Sequence, residues 1–294
     1  MNILNGKNHK IQRTAFEEFL NLEDGSGSIF TTFEMRDKKT GRLIQSTHNT
    51  TVLGGRIALL EEMFGLTRNK DQHLLINNSL GVAHSETDTV LNSATQKRQV
   101  GYFMVGNGAA SQETPGKYYT AKNYETKMYN PIPFRMVPLA TDLSTAEQEQ
   151  YRLRKIVNIN GVDYAAYYAK KFEPSSVILE YNAAQYKPID SHTVPVDESD
   201  STHPLRGGSV LAYITFSISI EENELKEWFR ITSNISNCAM SETGLILAAD
   251  LPNSLDNNRS ELAAAELFTK ICSTSTSLSE DGSSRIITIR MFAK

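Results

Sequence analysis

The sequence predicts a mainly β protein: an antiparallel β-sandwich with a few short helices and long inserted loops. Three observations carry that expectation. Val210, Ala212, Ile214, Phe216, Ile218 and Ile220 alternate with Leu211, Tyr213, Thr215, Ser217, Ser219 and Glu221. That period of two belongs to a strand with one face turned to a core. Two Gly-bearing turns, at residues 37–41 and at Asn160 and Gly161, separate strand-like runs and mark β-hairpins. The closing run SRIITIRMFAK alternates again through Ile287, Ile289 and Met291, as a terminal strand locked into a sheet would.

Bulk composition narrows the class. The 294 residues are 39% hydrophobic and 22% charged, enough for a core with generous polar loops. The organisation expected is an N-terminal arm and short helix over 1–28, then a single sandwich-like domain over 29–294. The formal net charge is −4 and the pI about 5.9, and no long basic run is present, which does not favour nucleic acid as a partner. No stretch approaches the roughly 18–20 apolar residues of a membrane span. The start, MNILNGKNHK, lacks the apolar core of a signal peptide. Cys238 and Cys272 have no CxxC or His companion, so both are expected as buried free thiols in a reducing compartment rather than a disulfide or zinc site.

Taken in order, Phe16, Phe19 and Leu20 have helical spacing before the glycines at 25–28. Residues 29–35 and 42–47 flank the first hairpin turn. VLGGRIALLEEMFGL reads as a helix entered at Gly54 and Gly55 and stopped at Gly65. Its stripe of Ile57, Leu60, Met63 and Phe64 is expected to pack under a sheet. Residues 67–99 read as a long polar insertion with an apolar island at Leu74, Leu75 and Ile76, and a loop that long is a candidate contact surface. A strand follows at 100–105, then an edge-like extended path set by Pro131, Pro133 and Pro138. Residues 144–155 look like a capped helix, with Ser144 as N-cap and Glu147 three residues on.

Further along, 156–172 form the second hairpin and 175–182 another strand, followed by a second polar insertion over 183–209. After the alternating strand, 228–231 and 241–247 are expected as strands, the latter opened by a Gly-centred SETGL turn in which Glu242 bonds nearby backbone N–H groups. ELAAAELFTKICS has helix-forming composition, but a strand from about Glu266 is the reading adopted. No repeat is visible.

Candidates for chemistry are few. Gly106, Asn107 and Gly108 leave a strand as a phosphate cradle would, yet no Lys-Ser/Thr pair and no helix follow, so neither nucleotide fingerprint is met. Asp190, His192, Asp200 and His203 could form a hydrolytic or metal cluster, but they lie in a polar loop without rigid support. No catalytic, cofactor-binding or metal-binding residue is therefore assigned. Tyr118, Tyr119, Tyr124 and Tyr129 form a tyrosine cluster suited either to sugars or to a protein interface.

Four motifs in chain order resemble a group of tailed-bacteriophage virion proteins. A strand enters a Gly-started helix (NTTVLGGRIALLEEMFG) and another leaves through glycines and small residues (FMVGNGAAS). Ser241-Glu242-Thr243-Gly244-Leu245 follows a later strand, and Leu267-Phe268-Thr269-Lys270 precedes the last one, IITIRMF. This order spans about two thirds of the chain. The resemblance implies a β-sandwich adaptor of the tail, baseplate, neck or fibre-attachment region, without known chemistry. Its expected partners are other virion proteins and further copies of itself in a symmetric assembly, put together in the host cytoplasm, with no nucleic acid or membrane. The insertions at 67–99 and 183–209 are longer than the compact form of that group has. The alternatives are a carbohydrate-binding module of a tail fibre and a capsid decoration protein.

Overall fold

The computed structural model describes residues 29–66, 75–81, 98–110, 117–182, 186–189, 209–221, 223–232, 238–252, 260–278 and 284–293. The expected arm and helix over 1–28, and most of both polar insertions, lie outside them. The fold is mainly β, and its strands form two antiparallel sheets. The chain divides into two compact units: Met1–His48 with Pro174–Ser219 and Arg285–Lys294, and Asn49–Glu173 with Ile220–Ser284.

The first unit holds a six-stranded sheet made of β1 (Ile29–Asp37), β2 (Leu43–His48), β9 (Ile178–Asn182), β10 (Tyr186–Ile189), β11 (Ser209–Ile220) and β14 (Arg285–Ala293), in the order β10-β9-β11-β14-β1-β2. Its first hairpin turns because the Asp37 carboxylate accepts from the Lys39 and Thr40 amides at 3.1 and 2.7 Å while Gly41 takes φ 68°. Those bonds, the Thr40 amide first, hold Asp37 below the usual carboxylate range. The terminal strand is locked in as expected. Across β1 and β14, Phe33 faces Ile289 and Met35 faces Ile287, all buried. Along β11 the expected apolar face is buried at Phe216, Ile218 and Ile220 while Ser217 is exposed. Tyr213, read as polar-face, is instead buried with its ring 5.4 Å from that of Phe292.

The second unit holds an eight-stranded sheet. Its path β3-β13-β12-β4-β8-β6 joins Thr50–Thr51, Ser260–Ser277, Ala239–Pro252, Gln99–Gly106, Val162–Lys171 and Arg135–Pro138, with β5 (Pro131–Ile132) on β4 and β7 (Tyr151–Ile159) on β8. Asn160 and Gly161 turn β7 into β8 with φ of 52° and 82°, the left-handed pair that a two-residue hairpin requires. The proline-rich strand β6 is an edge, as expected.

Four expectations change here. The run at 228–231 is helical, within Lys226–Ile231, with Phe229 buried. The capping box at Ser144 and Glu147 is present, but its helix is only Thr145–Gln148 and β7 starts at Tyr151. SETGL is no turn: it runs through the strand β12. The helix Leu53–Phe64 ends at Gly65 as read, yet Leu60 and Phe64 are 53% and 66% exposed rather than packed under the sheet. Its contact face is made of small residues instead. A Cβ on Gly54 would stand 2.6 Å from the Leu267 carbonyl oxygen, and one on Gly55 2.2 Å from that of Phe268. The helix backbone therefore lies directly on β13. The apolar island of the first insertion also belongs to the core, since Ile76 and Leu80 of the short helix Ile76–Leu80 pack with Tyr102, Met104 and Ile246.

Candidate functional site

The most organised polar arrangement lies where β4 leaves its sheet and residues 107–110 and 117–130 meet β12 and β13. Glycine makes the fold-back possible. A Cβ on Gly106 would fall 2.5 Å from both the Asn130 carbonyl oxygen and Glu242 Oε1, and one on Gly108 2.6 Å from the Asn130 nitrogen. The returning loop thus lies closer to the strand exit than any side chain would allow.

Two adjacent residues of β12 grip that loop. Glu242 Oε1 accepts the backbone N–H groups of Gly108 and Asn130 at 3.2 and 2.7 Å, and Oε2 accepts that of Tyr129 at 2.9 Å. Ser241 Oγ accepts from the Ala109 and Ala110 amides at 3.1 and 3.0 Å. The loop closes on itself where the Tyr119 N–H donates to the Ala109 carbonyl at 2.8 Å. Within the GNG exit the Gly108 amide does meet a carboxyl group, and it is the chain's own Glu242, while the two amides that follow bond the Ser241 hydroxyl. Met128 joins the buried core of the unit, so the loop is fixed by apolar packing as well.

Lys270 of β13 completes the arrangement. Register places Lys270 opposite Gly244 and Glu242 opposite Cys272, so all four share one face of neighbouring strands. The absent side chain of Gly244 leaves room that its neighbours fill: a Cβ there would meet Leu267 Cδ1 at 2.6 Å and Met128 Sδ at 3.1 Å. Both Lys270 and Glu242 are fully buried. The ammonium lies 2.8 Å from Glu125 Oε2 and 3.4 Å from Glu242 Oε2, donates to the Lys127 carbonyl at 3.2 Å, and stands 3.1 Å from the centroid of the Tyr129 ring. Glu125 Oε1 accepts from the Lys122 amide and from the Tyr129 hydroxyl. Burial first, and then the bond to Glu125, push the Tyr129 phenol up, so it stays a donor. Burying each such ion costs several kcal/mol, recovered only when its bonding groups are satisfied.

Beneath the loop, Cys272 packs with Ala109 and Ala121, and burial pushes its thiol up to about 12. On the outside, Tyr118, Tyr119, Tyr124 and Tyr129 are 44%, 56%, 69% and 42% exposed. The rings of Tyr119 and Tyr129 stand edge to face, 6.0 Å apart at 72°. Lys117, Lys122 and Lys127 are exposed beside them. A buried lysine bracket thus presents a fixed surface of tyrosine and lysine.

A family model matches residues 37–281 of this sequence. The chain belongs to DUF7208, a family of unknown function. No curated protein and no solved structure gives a significant match. The span shared with DUF7208 contains the whole bracket, from Gly106 through Glu242 to Cys272.

Of the residues weighed from sequence, Gly106 and Gly108 meet Glu242 in space, Asn107 bonds Asn130, and the tyrosines sit on the loop that these contacts anchor. Glu242 bonds backbone N–H groups as expected, but on a segment more than a hundred residues away rather than in a local turn. Asp190, His192, Asp200 and His203 lie outside the described residues. Both cysteines are free and buried. Among the described residues no group of three or more His, Cys, Asp or Glu is placed to hold a metal ion, and no helix is long and apolar enough to cross a membrane. Lys270, Glu125 and Ser241 were not singled out as partners. The signal for Lys270 was a lone lysine inside the apolar run LFTKIC.

Proposed function

We propose that this chain is a structural component of a tailed-phage virion, in the tail, baseplate, neck or fibre-attachment region, and that it works by protein–protein assembly. The observation that carries the reading is the exposed tyrosine surface, anchored at Tyr129 and Asn130 by the buried Glu242. Tyrosine is enriched where proteins meet, and a surface ordered in advance loses little entropy on docking. Two motifs of the virion-like series, VGNG and SETGL, support it further because they are the two halves of one bracket. A role of this kind needs no catalytic group, cofactor or metal, and it suits several copies in a closed symmetric ring.

Mass spectrometry of gradient-purified particles from a host that expresses the gene tests this. The chain should co-sediment with the particles at a fixed copy number. Its confinement to the soluble lysate would sink the proposal. A second reading, a carbohydrate-binding module, draws on the same exposed tyrosine rings, and reproducible hits on a glycan array would favour it.

A further inference from the structure

We propose that the lysine–tyrosine surface of segment 117–130 docks a second copy of this chain, which contributes its acidic stretch 190–200. The proposal rests on the assembly reading above and names the partner for that same surface. Lys117, Lys122 and Lys127 face solvent among Tyr118, Tyr119 and Tyr124. The segment's single carboxylate, Glu125, is consumed inwards by Lys270, the Lys122 amide and the Tyr129 hydroxyl. The exposed charge is therefore positive on a chain that is acidic as a whole. Three lysines and one glutamate give the segment +2, leaving −6 on the remainder of a chain whose total is −4. Much of that excess is concentrated in DSHTVPVDESD, residues 190–200, where Asp190, Asp197, Glu198 and Asp200 occur without a lysine or arginine. A patch and its complement on one sequence make a heterologous interface, the kind that closes a ring.

The ring geometry favours a polypeptide over a stacked sugar or base. Stacking uses open, parallel aromatic faces. Here Tyr119 and Tyr129 are edge to face, and one face of Tyr129 is covered by Lys270. The exposed lysine ammonium groups beside these rings suit carboxylate and backbone acceptors.

The test is sedimentation velocity on the intact chain, on Lys117→Glu/Lys122→Glu/Lys127→Glu, on Asp197→Lys/Glu198→Lys/Asp200→Lys, and on an equimolar mixture of the two variants. Circular dichroism checks that each is folded. The intact chain should self-associate, and less so at high salt, since the charges are exposed. Each variant alone should weaken association by about tenfold or more, and the mixture should restore it. Tyr118→Ala/Tyr124→Ala should weaken it comparably while leaving the salt dependence in place. An intact chain that stays monomeric, lysine reversal without effect, or a mixture that fails to recover would overturn the proposal. So would lysine reversal that abolishes binding to an anionic glycan and leaves self-association untouched. Particle composition is read separately, so a chain found in virions but monomeric in solution would end this inference and leave the assembly reading standing.

Discussion

Glu242 has no solvent to fall back on, so what it bonds decides what its loss costs. Truncation to Ala strands three backbone N–H groups and leaves Lys270 with Glu125 as its remaining carboxylate. We expect Glu242→Ala to lower unfolding stability by about 3–5 kcal/mol, as breaking buried pairs does. Glu242→Gln keeps an acceptor oxygen and should cost about 1–3 kcal/mol. Urea midpoints measure both, and a loss below about 1 kcal/mol for the alanine variant would mean that the bracket contributes little. Cys272 reports on the same contact. In a Cys238→Ala background its alkylation at neutral pH should be slow, and Glu242→Gln should speed it by letting the loop lift Ala109 and Ala121 away from Cys272. Equal rates in the two proteins would count against the loop as its cover. The thiol also sets an alkaline limit. With its folded value raised to about 12 by burial, its contribution is whole below the ordinary thiol range near 8.5 and is lost as pH rises from there towards about 12. Asp142 behaves in the opposite sense. Burial works against its charge, but bonds from the Tyr167 hydroxyl and Arg154 outweigh that and hold its carboxyl below the usual range. Its contribution is therefore present above about pH 3.9 and lost as pH falls through the folded value. The stability difference between the protein and Asp142→Asn should shrink on acidification below that point, in urea titrations at stepped pH.

At the scale of elements, the glycines separate geometry from propensity. Gly55 and Gly101 look alike in sequence, yet only Gly55 has a carbonyl oxygen 2.2 Å from where a Cβ would sit; the nearest atom at Gly101 is 3.6 Å away on the flexible Gln99 side chain. Gly55→Ala should force the Leu53–Phe64 helix off β13 and cost about 1–3 kcal/mol or more, whereas Gly101→Ala should be close to neutral. Comparable midpoints for the two variants would count against the close helix–strand approach. The same contrast explains what could be read in advance. Hairpins at Gly41 and Gly161, the helix stop at Gly65, and the alternation in β14 and in β11 from Phe216 onward are local signals, and the structure honours them. The helical stripe of Leu60 and Phe64 was misread because the helix docks through Gly54, Gly55 and Ala58, which carry almost no hydrophobic signal. The start of β13 was obscure for a related reason. ELAAAELF is buried along nearly its whole length, so it lacks the period of two, and its Ala and Leu content favours a helix until tertiary contacts override it. Long-range partners were out of reach in the same way. Nothing near Glu242 in sequence points to amides at Gly108 and Asn130.

For the molecule as a whole, chain order and spatial order diverge most in the first unit, whose sheet is gathered from three separated stretches. Its keystone comes last. β14 lies between β11 and β1, pairing with β1 over all nine residues of both strands. Removing residues 285–294 would leave β11 and β1 without their shared neighbour and open two long edges with buried Phe33, Met35, Phe216 and Ile218 beside them. Unpaired edges of that kind invite association with other chains. The second unit draws no strand from those residues, because β12 pairs with β13 and β4 entirely within it. Stability in such a chain is expected to partition into cooperative blocks rather than to be uniform. Amide hydrogen exchange on the shortened chain should show protection lost across β1, β2 and β11, while the amides of β4, β12 and β13, and those of Gly108, Tyr129 and Asn130 held by Glu242, stay protected. If the second sheet lost protection to the same extent, the two units would be one cooperative block, and the bracket would depend on the closing strand after all.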